Sequence, residues 1–141
     1  MIQSIELLHD SAVCALAVHP SGKSFAVGTA RGTIYIWSIQ SIEFLESRDD
    51  SENLKPVRII SGGFGGVTGM ALDEGGRKLA CGYANGRVKI WDYDSGGILR
   101  DLDAHSAAVD GVALSPDGST IFTSGRDALV KAWKVETGAL W

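Results

Sequence analysis

Residues 19–24 read HPSGKS, and a Gly-Lys-Ser triplet is how a phosphate-cradling loop ends. The full loop needs a glycine five positions before the Gly-Lys pair, a strand in front and a helix behind. Ala17 holds that earlier position. A second glycine-rich stretch, SGGFGGVTG at 61–69, has a similar composition. It lies between two segments of strand-like composition, so no helix amides stand ready to receive an anion. The nearest approach to a nucleophile elbow is GKSFA at 22–26, on an expected strand start after a turn. Cys14 and Cys81 are isolated, with no Cys-x-x-Cys pair, and read as reduced, strand-buried thiols rather than a bridge or metal ligands. The expectation is therefore no cofactor and no metal.

The Gly-Lys-Ser triplet has a simpler origin, because its surroundings recur. HPSGKSF at 19–25 has counterparts in DEGGRKL at 73–79 and SPDGSTI at 115–121. Gly22, Gly76 and Gly118 each follow a valine (Val13, Val67, Val109) by nine residues and precede a tryptophan (Trp37, Trp91, Trp133) by fifteen. Three copies in one register signal a repeat architecture, so the triplet is one copy of a turn and Lys23 leads into the next strand. The first segments, VCALAV, VTGMAL and VDGVAL, carry bulky residues in imperfect alternation: Val13, Leu16 and Val18, or Val67, Met70 and Leu72. A column of small residues (Ala15, Gly69, Gly111) suits strands crowding near an axis. After the turn come SFAVGT, KLACGY and TIFTSG, then the turn pairs Arg31-Gly32, Asn85-Gly86 and Asp127-Ala128. Asn-Gly is a strong hairpin signal, since a type I′ turn needs positive φ at both positions. The third segments are TIYIW, RVKIW and LVKAW, and fourth strands are expected at 56–61 and 98–102. The expected fold is all-β, with four antiparallel strands per repeat: the geometry of a propeller blade.

The bulk properties agree with a soluble globular class. The chain has 141 residues, 45% hydrophobic and 21% charged, enough for one domain with a sizeable core. A net charge of −4 gives no general attraction to nucleic acid or an anionic membrane, and neither is expected as a partner. No run approaches eighteen apolar residues, and Ala12–Val18 follows His9-Asp10 rather than a basic segment. An intracellular setting, cytoplasmic or nuclear, is expected.

The pattern resembles the WD40 repeat family. The third copy, AHSAAVDGVALSPDGSTIFTSGRDALVKAWKV, carries the likeness best, and Trp91-Asp92 in the second is the dipeptide that names the family. The resemblance places repeat 1 at about 7–39, an acidic insertion at 40–54, repeat 2 at about 55–93 and repeat 3 at about 98–138. It also implies a structural network of His105, Asp127, Trp133 and either Thr123 or Ser124. The carboxylate would orient one imidazole nitrogen, the hydroxyl would take the other, and the indole N–H would close the network. Repeat 1 keeps His9 and Trp37 but has Arg31 and Val27 in the Asp and hydroxyl slots. Repeat 2 keeps Trp91 but has Gly63, Asn85 and Cys81 in the other three. A complete network is expected in one blade only, with the other two less rigid at that corner. A His/Asp/Ser trio also invites a catalytic interpretation, but its spacing is that of the blade, and no second histidine or carboxylate is placed to assist His19.

Three blades do not close a ring. Residues 2–8 read as an outer strand of a blade whose inner strands are absent, and 139–141 begin an outer strand for the third blade. Two completions fit: further blades of a longer chain, or a second copy paired head to tail to give six blades. Within the acidic 41–55 segment, SIEFLES has the pattern of a short helical turn, and Ser47 precedes Asp49 and Asp50 as an acid-directed kinase would need. By family resemblance the chain is a non-catalytic scaffold for protein–protein interaction; the alternatives are a propeller enzyme using the central channel, or a self-assembling fragment with no partner. The family's habit of binding at the face carrying the d–a loops and b–c turns points to Ser11, Phe64, Thr68, Asp110 and Arg126. Arg126 stands out because its counterparts are Ala30 and Ala84. A partner contact and a pairing with a neighbouring acid both remain open for it. Neither Trp-Asp-x-Arg after the third strand nor Phe-Arg-Arg-Gly occurs.

Overall fold

A computed structural model describes residues 7–40, 55–61 and 65–141. The expected N-terminal strand, the helical turn and Ser47 of the acidic insertion, and Phe64 fall wholly or mainly outside these ranges. Eleven strands are formed among the described residues: β1 (Val13–Val18), β2 (Ser24–Thr29), β3 (Thr33–Ser38), β4 (Arg58–Ser61), β5 (Val67–Leu72), β6 (Lys78–Tyr83), β7 (Arg87–Asp92), β8 (Ile98–Asp103), β9 (Val109–Leu114), β10 (Thr120–Gly125) and β11 (Val130–Lys134). They form three sheets in chain order, β1-β2-β3-β4, β5-β6-β7-β8 and β9-β10-β11, with every neighbour antiparallel. The third sheet has three full strands, and its fourth position is held by one bridge, Trp133 to Leu140.

The turns follow from backbone chemistry. Gly22, Gly76 and Gly118 all sit at positive φ, between 67° and 71°, where a Cβ would be strained. In the second hairpin of each blade Gly32 and Gly86 do the same, and Ala128 takes φ 68° in the third. Asp127 compensates for that residue by accepting the Leu129 N–H across the turn.

The sheets stack face to face, and the core lies in two layers between them. One layer joins Ala26, Ile34, Ile36 and Ile60 of the first sheet to Leu79, Cys81, Tyr83 and Trp91 of the second. The other joins Ala80, Val88, Ile90 and Leu102 to Val109, Ile121 and Trp133 of the third. The first strands β1, β5 and β9 run beside one another at the centre. Small side chains permit that approach: a Cβ on Gly69 would already stand 3.7 Å from Asp110 O and Gly111 Cα.

Polar links tie each sheet to the next at matching places. Arg58 of β4 donates to the carbonyls of Asp94 and Ser95, and Arg100 of β8 donates to those of Val135 and Glu136. These charge-assisted bonds satisfy turn carbonyls that packing leaves without a backbone partner. At the other turn, His19 Nε2 lies 3.0 Å from Gly76 O, and Lys78 Nζ donates to Gly118 O at 3.0 Å. Different residue types thus perform one task in successive blades.

Candidate functional site

Two arrangements of side chains recur around the blades, one inside a sheet and one at the axis. Inside the third blade His105 Nδ1 lies 2.9 Å from Asp127 Oδ1, Nε2 lies 2.8 Å from Thr123 Oγ1, and Trp133 Nε1 donates to Thr123 Oγ1 at 3.1 Å. A carboxylate only accepts and an indole only donates, which fixes the direction of the neutral chain. Trp133 N–H gives to Thr123, Thr123 O–H gives to Nε2, and Nδ1–H gives to Asp127. His105 and Thr123 are buried, and the network joins β10, β11 and the loop before β9. Ser124, the alternative hydroxyl, is excluded from this network, because the pleat sends it to the opposite face from Thr123. The serine pairs across β9 with Gly111.

The other two blades solve the same corner differently. In the first, Trp37 Nε1 donates directly to His9 Nε2 at 3.0 Å, and the imidazole packs edge-on against Tyr35. In the second, position 63 is glycine in the sequence and Tyr83 fills the core. The exchange has a steric reason. Tyr83 corresponds to Gly125, and a Cβ on Gly125 would stand 2.6 Å from the His105 ring. The ring as His105 is seated leaves no room for a side chain there, whereas the first blade holds Thr29 at this position together with His9. The cost is polar: Tyr83 Oη and Trp91 Nε1 are buried with no hydrogen-bond partner among the described residues. Burial pushes the Tyr83 phenol up, and the nearby Trp91 N–H offsets only part of that rise.

Four carboxylates at turns titrate low. Asp127 is pushed up by burial, but the His105 bond and the Leu129 and Ser106 amides outweigh that, and the net shift is downward. The Ser119 amide, with the Ser115 and Ser119 hydroxyls, holds Asp117 at about 2. The hydroxyl of Thr33 lowers Asp10, and the Ser95 amide lowers Asp92. Folded pKa values below the unfolded value of 3.8 mean that these groups stabilise the fold above about pH 4. That contribution disappears as pH falls through the folded values. Urea midpoints should therefore be level from pH 7 to pH 5 and fall between pH 4 and pH 2, and Asp117→Asn should flatten the decline.

The second arrangement lies at the end of the axis formed by the d–a loops and b–c turns. Each first strand carries a β-bulge at the same place, between Val13 and Ala15, between Val67 and Gly69, and opposite Ser124 and Gly125 at Asp110. The extra residue of a bulge is unpaired and its side chain is re-aimed. Here the extra residues are Cys14, Thr68 and Asp110, and all three line one groove of about 410 Å³. Ala30, Ala84 and Arg126, one from each b–c turn, form its rim. The groove therefore draws equivalent positions from three blades, with charge on the third alone. Arg126 Nε stands 3.3 Å from Asp110 Oδ1, and both side chains are more than half exposed.

Of the five residues expected at this face, the structure brings Thr68, Asp110 and Arg126 together. Ser11 lies at the same end but is not among the residues lining the groove: its hydroxyl donates to Asp10 and accepts the Arg31 N–H, locking the first blade's turn. The Cys14 expectation is corrected, for the thiol is exposed at the groove while Cys81 is buried. The bulge is the reason, and the matching positions of Cys14, Thr68 and Asp110 after the three valines were the available signal. Among the described residues no cluster of His, Cys, Asp or Glu has metal-site geometry, and no helix is long and apolar enough to cross a membrane.

Comparison with known proteins gives a consistent result. The family model described as the Vps8 β-propeller matches residues 9–135. WD repeat-containing protein 1 of Gallus gallus is 34% identical over 86% of this chain and 18% of its own length. The guanine nucleotide-binding protein subunit beta of Arabidopsis thaliana is 29% identical over 89% of this chain and 32% of its own. Solved structures of U3-55K and of the RRP9 WD40 repeats superpose with a TM-score of 0.80 at 21% identity, over 96% of this chain and 39% of theirs. The chain thus spans about a third or less of the curated relatives it matches.

Proposed function

The chain belongs to the WD40 β-propeller family, and from that premise we propose that it is a non-catalytic scaffold whose axial groove docks other proteins. The carrying observation is the convergence of three bulged residues and three turn residues, one pair from each blade, on a single opening. A groove built from every blade is rigid, because each wall is fixed by its own sheet. Small side chains on two blades admit a partner's backbone or a short side chain, while Asp110 and Arg126 on the third give it an orientation. An exposed acid–base pair contributes little to stability. Its members are therefore free to exchange their bond for one with a partner, which supports contact rather than a structural role. An intracellular location fits two unpaired thiols.

The test is affinity capture from the source cells with the wild-type chain, Arg126→Ala, Asp110→Ala and a control at the opposite end, Lys23→Ala. Proteins captured by wild type and control are then titrated against each purified variant. The expected result is at least a fivefold weaker Kd for Arg126→Ala and Asp110→Ala, as for the central residues of an interface, with Lys23→Ala unchanged. Equal binding by all four chains overturns the groove as the docking site.

A further inference from the structure

We propose that the groove beside Val135, where the second blade meets the third, receives a tyrosine side chain of a partner protein, at a place apart from the axial groove. The inference rests on the matching place between the first and second blades, which this chain fills for itself. There Tyr93 is buried, its hydroxyl lies 2.7 Å from Ser24 Oγ, and its ring centroid stands 4.8 Å from that of His19. The His19 ring in turn lies over Gly76, with Nε2 3.0 Å from the carbonyl and no room for a Cβ beneath it. Two rings, one behind the other, close the first contact at this end.

The second contact repeats the backbone and changes both side chains. Tyr93 N–H donates to Arg77 O and Val135 N–H to Ser119 O, each at 2.9 Å, so Val135 holds the place of Tyr93. Lys78 opens its strand as Ser24 does, pairing with Asp92 where Ser24 pairs with Ser38. The lysine stem covers Gly118 as the His19 ring covers Gly76. A Cβ on that glycine would stand 3.2 Å from Lys78 Cδ, and Nζ donates to Gly118 O at 3.0 Å. The place of the first ring is therefore taken and that of the second is not. Valine ends where tyrosine would go on into a ring, and a groove of about 480 Å³ opens among Lys78, Leu99, Arg100, Ser119 and Val135.

The chemistry of the groove selects its occupant. Leu99, 40% exposed, offers a ring an apolar wall. Arg100 directs its donors at the carbonyls of Leu99, Val135 and Glu136, and the Asp117 carboxylate accepts from the Ser115 and Ser119 hydroxyls. Lys78 has three N–H donors and, among the described residues, one acceptor, Gly118 O. Its ammonium suits an oxygen at the end of an apolar slot, while Asp117 and Glu136 on the lining repel a full negative charge. A neutral phenol meets both conditions, as Tyr93 does against Ser24.

The test titrates p-cresol, the tyrosine side chain alone, into the nitrogen-labelled 141-residue chain and follows the amide shifts, with toluene and acetate as comparisons. The expected result is saturable shifts at Lys78, Leu99, Ser119 and Val135, with a Kd on the order of a few millimolar for so small a ligand. Toluene should bind about fivefold more weakly for want of the hydroxyl bond, and acetate more weakly still. Val135→Tyr supplies the ring from within, as at position 93, and should abolish these shifts. Lys78→Met keeps the stem without the donors and should bring p-cresol and toluene to equal affinity, which decides the matter if Val135→Tyr does not fold. The proposal is overturned if toluene or acetate binds wild type as tightly as p-cresol, or if no saturable shifts arise at the groove. Undiminished p-cresol binding by folded Val135→Tyr, or an unchanged preference for p-cresol in Lys78→Met, overturns it equally.

Discussion

His105→Ala should lower the stability of the folded chain by about 3–5 kcal/mol, the largest loss expected from a single histidine. The estimate combines two costs. Truncating a buried ring leaves a cavity and forfeits its packing, on the order of 2–5 kcal/mol in cores. It also strands the Thr123 hydroxyl, which passes on the Trp133 bond, and a buried hydroxyl without its acceptor costs about 1–3 kcal/mol. The two overlap, since a water entering the space relieves part of the second. His9→Ala is the internal control. His9 makes one side-chain hydrogen bond, to Trp37, and is only partly buried, so a loss of about 1–2 kcal/mol is expected. Urea unfolding followed by tryptophan fluorescence measures both, and a midpoint shift at constant slope reports stability alone. Equal losses for the two variants would show that the Asp127–His105–Thr123–Trp133 chain adds nothing beyond a single bond.

Gly82→Ala should cost about 1–3 kcal/mol, and Val109→Ala should be less harmful in its presence than alone. Alanine is a better strand residue than glycine, so local preference favours the substitution. The opposite sign is expected because the new Cβ would stand 2.5 Å from Val109 Cγ1. Overpacking of that size moves backbone or forces a rotamer. Trimming Val109 removes the methyl that collides, so the double variant should be more stable than the sum of the single losses by about 1 kcal/mol. A gain in stability for Gly82→Ala, or simple additivity, would mean that the second and third sheets do not meet in the described register.

How much of this was legible in the sequence follows from which contacts are local. The glycine, valine and tryptophan columns fixed the strands and turns because each repeat forms its sheet from neighbours in the chain. The imperfect alternation Val13–Leu16–Val18 marked the bulge: a valine and a leucine three apart share a face only if one residue is inserted between them. Cys14 follows Val13 as Thr68 and Asp110 follow Val67 and Val109, yet its small apolar setting suggested a buried thiol. Thr123 and Ser124 were separable by pleat alone, since Ile121, Thr123 and the cross-strand Trp133 share a side. The exchange of Tyr83 for a histidine was harder to see. It needs Tyr83 and Gly125 to be compared between blades, and the closeness of Gly125 to the His105 ring exists only in three dimensions. Gly28 and Gly82 hold the same place in their repeats, but the contact each makes is not legible, because the partner valine lies in the next blade.

The central claim is that the three sheets fan about one axis, with Val67 seated over Gly28 and Val109 over Gly82 of the preceding sheet. The most direct test is a nuclear Overhauser experiment on chain with labelled valine methyls. Cross-peaks are expected from Gly28 Hα to the Val67 methyls and from Gly82 Hα to the Val109 methyls, both short enough to be strong. Well-dispersed strand resonances without either cross-peak would contradict the account, for the blades would then be folded but not stacked as described.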